Sequence, residues 1–350
     1  MVDSSWQLPQ SPDFVLRDTP DAGRGIFARR PLKRGTQILT TSVSLSPTAH
    51  VILRAYRREV CAFCFAYDRG REWKIRPPNT SLAFCSEDCH KQWLTRYGSE
   101  ALEGYLNIET LIQKQFKQNG DAQMEENFFN SHDAAERWKQ AAEIGAQVCE
   151  ARQQVKLSKN QKKLLRQQSE VKVDPDILSF LYSTALNATP DSESALMALA
   201  DNPDVYQTAS LEQHTKAYGL LLTLLPSGLL ENIRANLCHE YVSRASHNAF
   251  SIRPTADGDH SGEFLGYGVW PEASFFNHSC RPNLRKSREG RQWSFWTASD
   301  TDIEEGDELC ITYLGGEERD LTISQRRDKL KEEWGFWCRC QRCIQEEGNC

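Results

Sequence analysis

The sequence predicts an α+β fold in which short β-strands are interrupted by a cysteine finger and a helical block, and closed by a second cysteine cluster. The first sixty residues alternate short apolar runs with Gly and Pro, as in GRGIFARRPLKRGTQILTT, which is typical of short strands joined by tight turns. From about Lys91 to Leu237, apolar residues recur at helical spacing among Ala, Leu, Glu, Gln and Lys. Strand-like segments return between Cys238 and Leu314, before a charged helix and the last cysteines.

Composition narrows the classes of function. The chain has 350 residues, 42 of them basic and 48 acidic, for a net charge of −6. This balance predicts no direct nucleic-acid binding and is compatible with a basic peptide substrate. The start MVDSSWQLPQ lacks the pattern of a secretory signal. The longest apolar run, LLLTLLP, is far shorter than the roughly 20 residues of a membrane span. We therefore expect no membrane association and a nuclear or cytoplasmic location, or both.

Twelve cysteines in a reducing compartment are more often metal ligands than disulfides. Cys61 and Cys64 form a Cys-x2-Cys pair, and Cys85 and Cys89 form a Cys-x3-Cys pair after a 20-residue spacer. Four thiolates from two such pairs complete a tetrahedral Zn²⁺ site. Four buried structural cysteines are the alternative, which the paired spacing disfavours. The sequence thus predicts a zinc finger here.

The late cluster, Cys338, Cys340 and Cys343, supplies only three ligands, whereas a structural zinc needs four. One candidate for the fourth is Cys280, in the segment SFFNHSCRPN; Cys350 is the other and is nearer in sequence. Spacing alone does not decide between them. A reactive thiol cluster without metal is a less favoured alternative.

Four segments occur in an order that resembles a known family. GRGIFA, NHSCRPN, IEEGDELCITYLG and FWCRCQRC are similar to the signature segments of SET-domain protein-lysine methyltransferases. The position of the finger resembles that of the SET-and-MYND (SMYD-like) subfamily. The resemblance implies a SET fold of small sheets with a pseudoknot. It divides the chain into an N-terminal SET part (10–60), a degenerate MYND-like finger (61–97), a helical insertion (98–237), a C-terminal catalytic SET part (238–316), and a post-SET helix with a zinc loop (317–350).

The same resemblance implies that S-adenosyl-L-methionine is the methyl donor and that zinc occupies two sites. It favours Cys280 over Cys350 as the fourth ligand of the post-SET zinc. Phe336 would stack on the adenine of the donor. The other residues that it assigns to donor binding are Gly23, Arg24, Gly25, Asn248, Asn277, His278 and Tyr313.

Tyr313 matches the catalytic tyrosine of the family, and Trp334 would line the lysine channel. The chemistry of these residue types agrees, because methyl transfer to an amine depends mainly on positioning. Burial in an aromatic channel lowers the pKa of a lysine, which must react as the neutral amine. Aromatic faces also stabilise a developing methylammonium.

The sequence departs from the subfamily in its finger. No Cys-x2-Cys lies between Cys64 and Cys85, and no His-x3-Cys follows Trp93, so we expect one zinc here rather than two. The implied partner is a lysine-containing protein, either a histone tail or a non-histone protein. Two other functions are weighed: a catalytically silent scaffold, and a zinc-dependent DNA-binding regulator, which the acidic balance disfavours.

Overall fold

The protein is described by a computed structural model over residues 5–20, 22–118, 131–201, 208–254, 262–298 and 302–348. Within these ranges, short strands form three antiparallel sheets. The first pairs β1 (Phe14–Thr19) with β2 (Gly23–Ala28). The second has the order β3 (Gln37–Thr40), β8 (Gln292–Thr297), β7 (Leu284–Glu289). The third has the order β4 (Ala49–Ile52), β6 (Gly266–Val269), β5 (Ala249–Ile252).

Two of the three sheets pair strands from the first sixty residues with strands that follow the helical block. β3 pairs with β8, and β4 pairs with β6, across more than two hundred residues of sequence. Alternation along β8 points Trp293, Phe295 and Thr297 into the core. The finger and the helical block are therefore insertions into one fold that neither half of the chain completes alone.

The inserted block consists of α1 (Glu87–Gln118), α2 (Ser131–Gln153), α3 (Lys159–Ser169), α4 (Pro175–Leu186), α5 (Pro190–Met197) and α6 (Thr208–Leu224). α1 bends at Gly98, whose φ of +79° interrupts the helical backbone. α4 begins at an Asp174 cap and is buried over eight consecutive residues, 178–185. It is apolar all round because it lies between the other helices and β4, where the amide of His50 donates to the Ser183 hydroxyl at 2.8 Å.

Three further helices follow the block. α7 (Ala235–Asn248) leads directly into β5, whereas α8 (Ile323–Trp334) and α9 (Gln341–Glu347) flank the last cysteines. The predicted boundary between the helical insertion and the C-terminal SET part, at residues 237 and 238, falls within α7. None of the helices in the described ranges is both long and apolar enough to cross a membrane.

The segment of residues 308–313 brings three of the sequence motifs together in space. On one side the amide of Leu309 donates to the carbonyl of Ile26 in β2 at 2.7 Å. On the other side the amide of Ile311 donates to the carbonyl of Asn277 at 3.0 Å, and His278 forms a parallel bridge with Ile311. Three separate sequence segments, GRGIFA, NHSC and ITY, thereby become neighbours.

Candidate active site and zinc sites

Two cavities meet around Tyr313. The first, which we call the strand cavity, has a volume of about 1050 Å³ and is lined by residues of α7, β5 and β7 and by Tyr313. The second, the loop cavity, has a volume of about 1030 Å³ and is lined by β2, the segment at Asn277 and the loop that carries Phe336. The two share six wall residues: His247, Asn248, Ser274, Pro282, Tyr313 and Trp334. Tyr313 therefore lies where the two cavities join.

The Tyr313 side chain is fixed by backbone contacts. Its hydroxyl donates to the carbonyl of Phe276 at 2.9 Å, and its amide donates to Nδ1 of His278 at 2.9 Å. Burial raises the pKa of Tyr313 well above its usual value, and the nearby Cys310 and Glu308 raise it further. The phenol is thus neutral at physiological pH, a form that can hydrogen-bond to a neighbouring group but is not a strong base.

The His278 ring links the tyrosine to the cysteine cluster. Because Nδ1 accepts from Tyr313, the proton lies on Nε2, which is 3.3 Å from Sγ of Cys280. Burial lowers the pKa of His278 to about 4, so the ring is neutral at pH 7. Its ring centroid lies 5.3 Å from that of Tyr313 and 5.9 Å from that of Phe336. The ring centroid of Trp334 lies 5.6 Å from that of Tyr313.

Asn277 connects the loop cavity to β2. Its amide nitrogen donates to the carbonyl of Arg24 at 3.2 Å and to Oε1 of Glu308 at 2.8 Å. A Cβ on Gly25 would lie 2.5 Å from that Glu308 oxygen and 2.8 Å from the Asn277 nitrogen. Gly25 is therefore required for the close approach of these two side chains to the strand.

The C-terminal cysteines converge on Cys280. The Sγ atoms of Cys280, Cys338, Cys340 and Cys343 lie within 4.8 Å of one another. Sγ of Cys280 is 3.6 Å from that of Cys343 and 3.9 Å from that of Cys338. Four thiolates at about 2.3 Å from a tetrahedral zinc lie roughly 3.8 Å apart, so this cluster fits zinc.

The electrostatic surroundings of this cluster also suit a zinc ion. Hydrogen bonds from Cys280 and Cys338 lower the pKa of Cys340, and the guanidinium of Arg326 is 3.8 Å from Sγ of Cys343. Each effect favours a thiolate, the form that binds metal, at its own sulfur, whereas hydrogen bonds from Cys280 and Cys340 raise the pKa of Cys338. Cys350, the other sequence candidate, lies outside the described residues.

The finger cysteines form a second cluster of the same kind. Sγ of Cys85 is 3.6 Å from that of Cys64 and 3.5 Å from that of Cys89, and Cys61 completes a set within 4.8 Å. A hydrogen bond from Cys64 lowers the pKa of Cys61 to about 5, although burial opposes the shift. Over the part of the chain that the structure describes, no third group of potential ligands has this geometry.

The structure places the predicted site residues as follows. Gly23, Arg24, Asn277, His278 and Phe336 line the loop cavity; Asn248, Tyr313 and Trp334 lie at the junction; Gly25 lies behind the wall, against Asn277 and Glu308. Asn248 is held by its side-chain amide, which donates to the carbonyls of Arg244 at 2.8 Å and of Ala200 at 2.9 Å.

Three features of the cavities were not predicted. Glu308 belongs to IEEGDELCITYLG, one of the four family segments quoted above. A charged residue in that segment could have been chosen from the sequence as a site candidate. Lys286 lines the strand cavity from β7. The stretch 199–201 of the helical block lines the loop cavity, and no sequence pattern pointed to it, because the block matches the family only by its position.

Comparison with known proteins agrees with this geometry. The sequence pattern of the SET domain matches residues 23–314, which include strands β2 to β8 and both insertions. The chain belongs to the SET domain family. This confirms the predicted SET fold with two cysteine clusters that fit zinc sites. The domain boundaries and the roles of individual residues stay predictions.

Several relatives of this SET-domain protein have names that describe lysine methyltransferases. It is 27% identical over 382 residues to "Potential protein lysine methyltransferase SET6" of Saccharomyces cerevisiae, with 96% of each chain covered. It is 28% identical to "Histone-lysine N-methyltransferase ASHR2" of Arabidopsis thaliana, covering 95% of this chain and 72% of the relative. A shorter match, 37% identical over 87 residues, covers 24% of this chain and 21% of "Protein-lysine N-trimethyltransferase SMYD5" of Gallus gallus.

Proposed function

We propose that this SET-domain protein is a protein-lysine N-methyltransferase that uses S-adenosyl-L-methionine. The observation that carries the proposal is the junction of two cavities at Tyr313. A donor in one cavity and a lysine in the other would meet there, away from bulk water. Membership of the SET family and the names of the relatives support the same reaction class.

The loop cavity fits the donor in size and in chemistry. Its volume of about 1030 Å³ is at the upper end of ordinary ligand sites. Phe336 supplies an aromatic face for a base, and Arg24 supplies a cation for a carboxylate. Oxygens of Asn277 and Glu308 suit a positively charged sulfur. When bound, the donor would supply a methyl group whose carbon forms a bond to the lysine nitrogen as its bond to sulfur breaks.

The residues at the junction would hold and prepare the lysine. Because Tyr313 is a neutral hydrogen-bonding group, its hydroxyl would orient the amine without taking up a proton. The ring of Trp334 would face the methylated nitrogen, where a cation forms. Enclosure between these rings disfavours the ammonium and so favours the nucleophilic amine. The excess proton would leave to solvent through the strand cavity.

We further propose that both cysteine clusters hold Zn²⁺ with structural roles, since four thiolates leave no open coordination position. The C-terminal zinc would fix the loop that carries Trp334 and Phe336 over the loop cavity. The finger zinc would fold a segment that contributes no residue to the wall of either cavity and packs behind Arg288 through Phe65, whose ring centroid is 5.8 Å from that guanidinium.

The test is incorporation of a labelled methyl group from S-adenosyl-L-methionine into lysine peptide arrays and cell-extract proteins by the purified full chain. We expect label on lysine, and strongly reduced label with Tyr313→Phe. Absence of label on every peptide and extract protein, together with no donor binding by calorimetry, would overturn the proposal in favour of a silent scaffold.

A further inference from the structure

The strand cavity carries an excess of positive charge, although the whole chain has a net charge of −6. Its described wall includes two carboxylates, Glu318 and Glu333. The cations that line it number five: Arg253, Arg285, Lys286, Arg288 and Arg319.

Both carboxylates are already engaged. Nζ of Lys329 lies 3.2 Å from Oε1 of Glu318 and contacts Glu333 more closely still. The other carboxylate oxygen of Glu318 accepts from the amide of Gly315 at 2.7 Å. Lys329 therefore offsets one of the two negative charges, which leaves five cations in the wall against one uncompensated carboxylate.

The cations instead contact carbonyls and aromatic rings. Nη2 of Arg288 donates to the carbonyl of Arg253 at 2.9 Å, and the guanidinium of Arg285 lies 4.9 Å from the ring centroid of Trp296. Across the described ranges, no carboxylate lies within ion-pair distance of any of the five. Arg253, Arg285 and Arg319 are exposed, so a ligand can reach them.

Lys286 brings this charge next to Tyr313. Its Nζ donates at 3.0 Å to the carbonyl of Thr312, the residue before the tyrosine, and lies 5.2 Å from the ring centroid of Phe250. Burial, together with the positive charges of Arg319 and Arg253, lowers the pKa of Lys286 to about 8. The three cations therefore act on the same space.

We propose that the strand cavity selects target lysines flanked by acidic residues. The proposal rests on the methyltransfer function proposed above and names its substrate class. Asp and Glu beside the lysine would supply the carboxylates that the five cations lack, whereas a basic segment such as a histone tail would meet like charge.

The test compares two peptide series of equal length around one lysine, with Asp and Glu or with Lys and Arg at the flanking positions. Methyl transfer and fluorescence-anisotropy binding are both measured, at low and at physiological salt. We expect the acidic series to have a KM about tenfold lower, with the difference shrinking as salt rises. The double variant Arg253→Glu/Arg319→Glu should reverse the preference.

The matched control is Arg34→Glu/Arg166→Glu, which makes the same charge change at exposed arginines outside both cavities. It should keep the wild-type preference. Equal or better use of the basic series by the wild type would overturn the inference, as would tighter binding of a single-stranded oligonucleotide than of the acidic peptide. Selective binding of the acidic series, with no methyl transfer to any peptide or extract protein and no donor binding, would refute the proposed function but support the preference of the strand cavity for acidic segments.

Discussion

The backbone amide of Tyr313 donates to Nδ1 of His278 at 2.9 Å, while Nε2 of the same ring lies 3.3 Å from Sγ of Cys280. One imidazole therefore connects the residue between the cavities to a cysteine of the C-terminal cluster. The segment that supplies His278 and Cys280 also supplies Asn277 to the loop cavity. A change in the C-terminal cysteine cluster should therefore alter the positions of the residues around Tyr313 and in the loop cavity.

Cys280→Ser tests this connection. Removing one thiolate should release the C-terminal zinc and loosen the loop that carries Phe336, so zinc content should fall by one ion per chain and donor affinity by about tenfold or more. Metal analysis and calorimetry measure the two effects. Cys64→Ser, the control in the finger, should also release one zinc but leave donor affinity unchanged. Loss of only one of the two properties in Cys280→Ser would show that cluster and site are independent.

Tyr313→Phe removes the hydroxyl that donates to the carbonyl of Phe276. We expect kcat to fall by about 100-fold or more, because the amine loses its orienting group, while the free energy of unfolding falls by only about 1 kcal/mol. Tyr182→Phe is the matched control, since its buried hydroxyl donates to the Ala101 carbonyl at 2.7 Å in the helical block. That variant should lose similar stability and keep its activity. Comparable turnover in both variants would remove Tyr313 from the reaction.

Gly25→Ala tests the packing behind the loop cavity. The added methyl would meet Glu308 and Asn277 at the distances given above, so both side chains must shift, and donor affinity should fall by about tenfold. Gly35→Ala is the control: its φ of +74° makes the substitution strained, but nothing lies within 4 Å of the new Cβ. It should lower stability by about 1 kcal/mol without changing donor affinity. Unchanged affinity in Gly25→Ala would mean that the wall tolerates the shift.

Lys286→Met tests how much the buried charge of Lys286 lowers the free energy of unfolding, measured by urea unfolding at pH 7 and pH 9.5. The pKa of Lys286 is lowered to about 8 in the folded chain and is near 10.4 when unfolded. Between these values the unfolded state binds more protons, so Lys286 should make the free energy of unfolding rise by about 2 kcal/mol between pH 7 and pH 9.5. The variant should be more stable at pH 7 and lack this rise. Lys163→Met, at an exposed lysine of α3, should behave like the wild type.

The cysteine pairs could be predicted from the sequence because metal ligands impose short, fixed spacings on a chain. Cys61, Cys64, Cys85 and Cys89 could therefore be grouped from sequence, as could the triad from Cys338 to Cys343. The fourth member of the late cluster could not be chosen from spacing, since Cys280 and Cys350 were both open. The fold places Cys280 beside the triad because residues 277–279 pair with the segment at Ile311.

The positive charge of the strand cavity could not be predicted from the sequence either. A net charge of −6 is compatible with a basic substrate, whereas tertiary packing groups Arg253, Lys286 and Arg319 and pairs Glu318 with Lys329. Charge totals carry no information about which groups share a low-dielectric space, since that depends on contacts between distant segments.

By itself, the sequence determined the α+β class, the inserted helices, the two cysteine clusters and the motifs on either side of Tyr313, because periodicity and ligand spacing are local properties of the chain. Only the tertiary structure decided the junction of the two cavities, the role of Gly25 behind Asn277, and the partners of Lys286. These depend on antiparallel pairing and packing between residues that are far apart in sequence, where no local pattern records which side chains will meet.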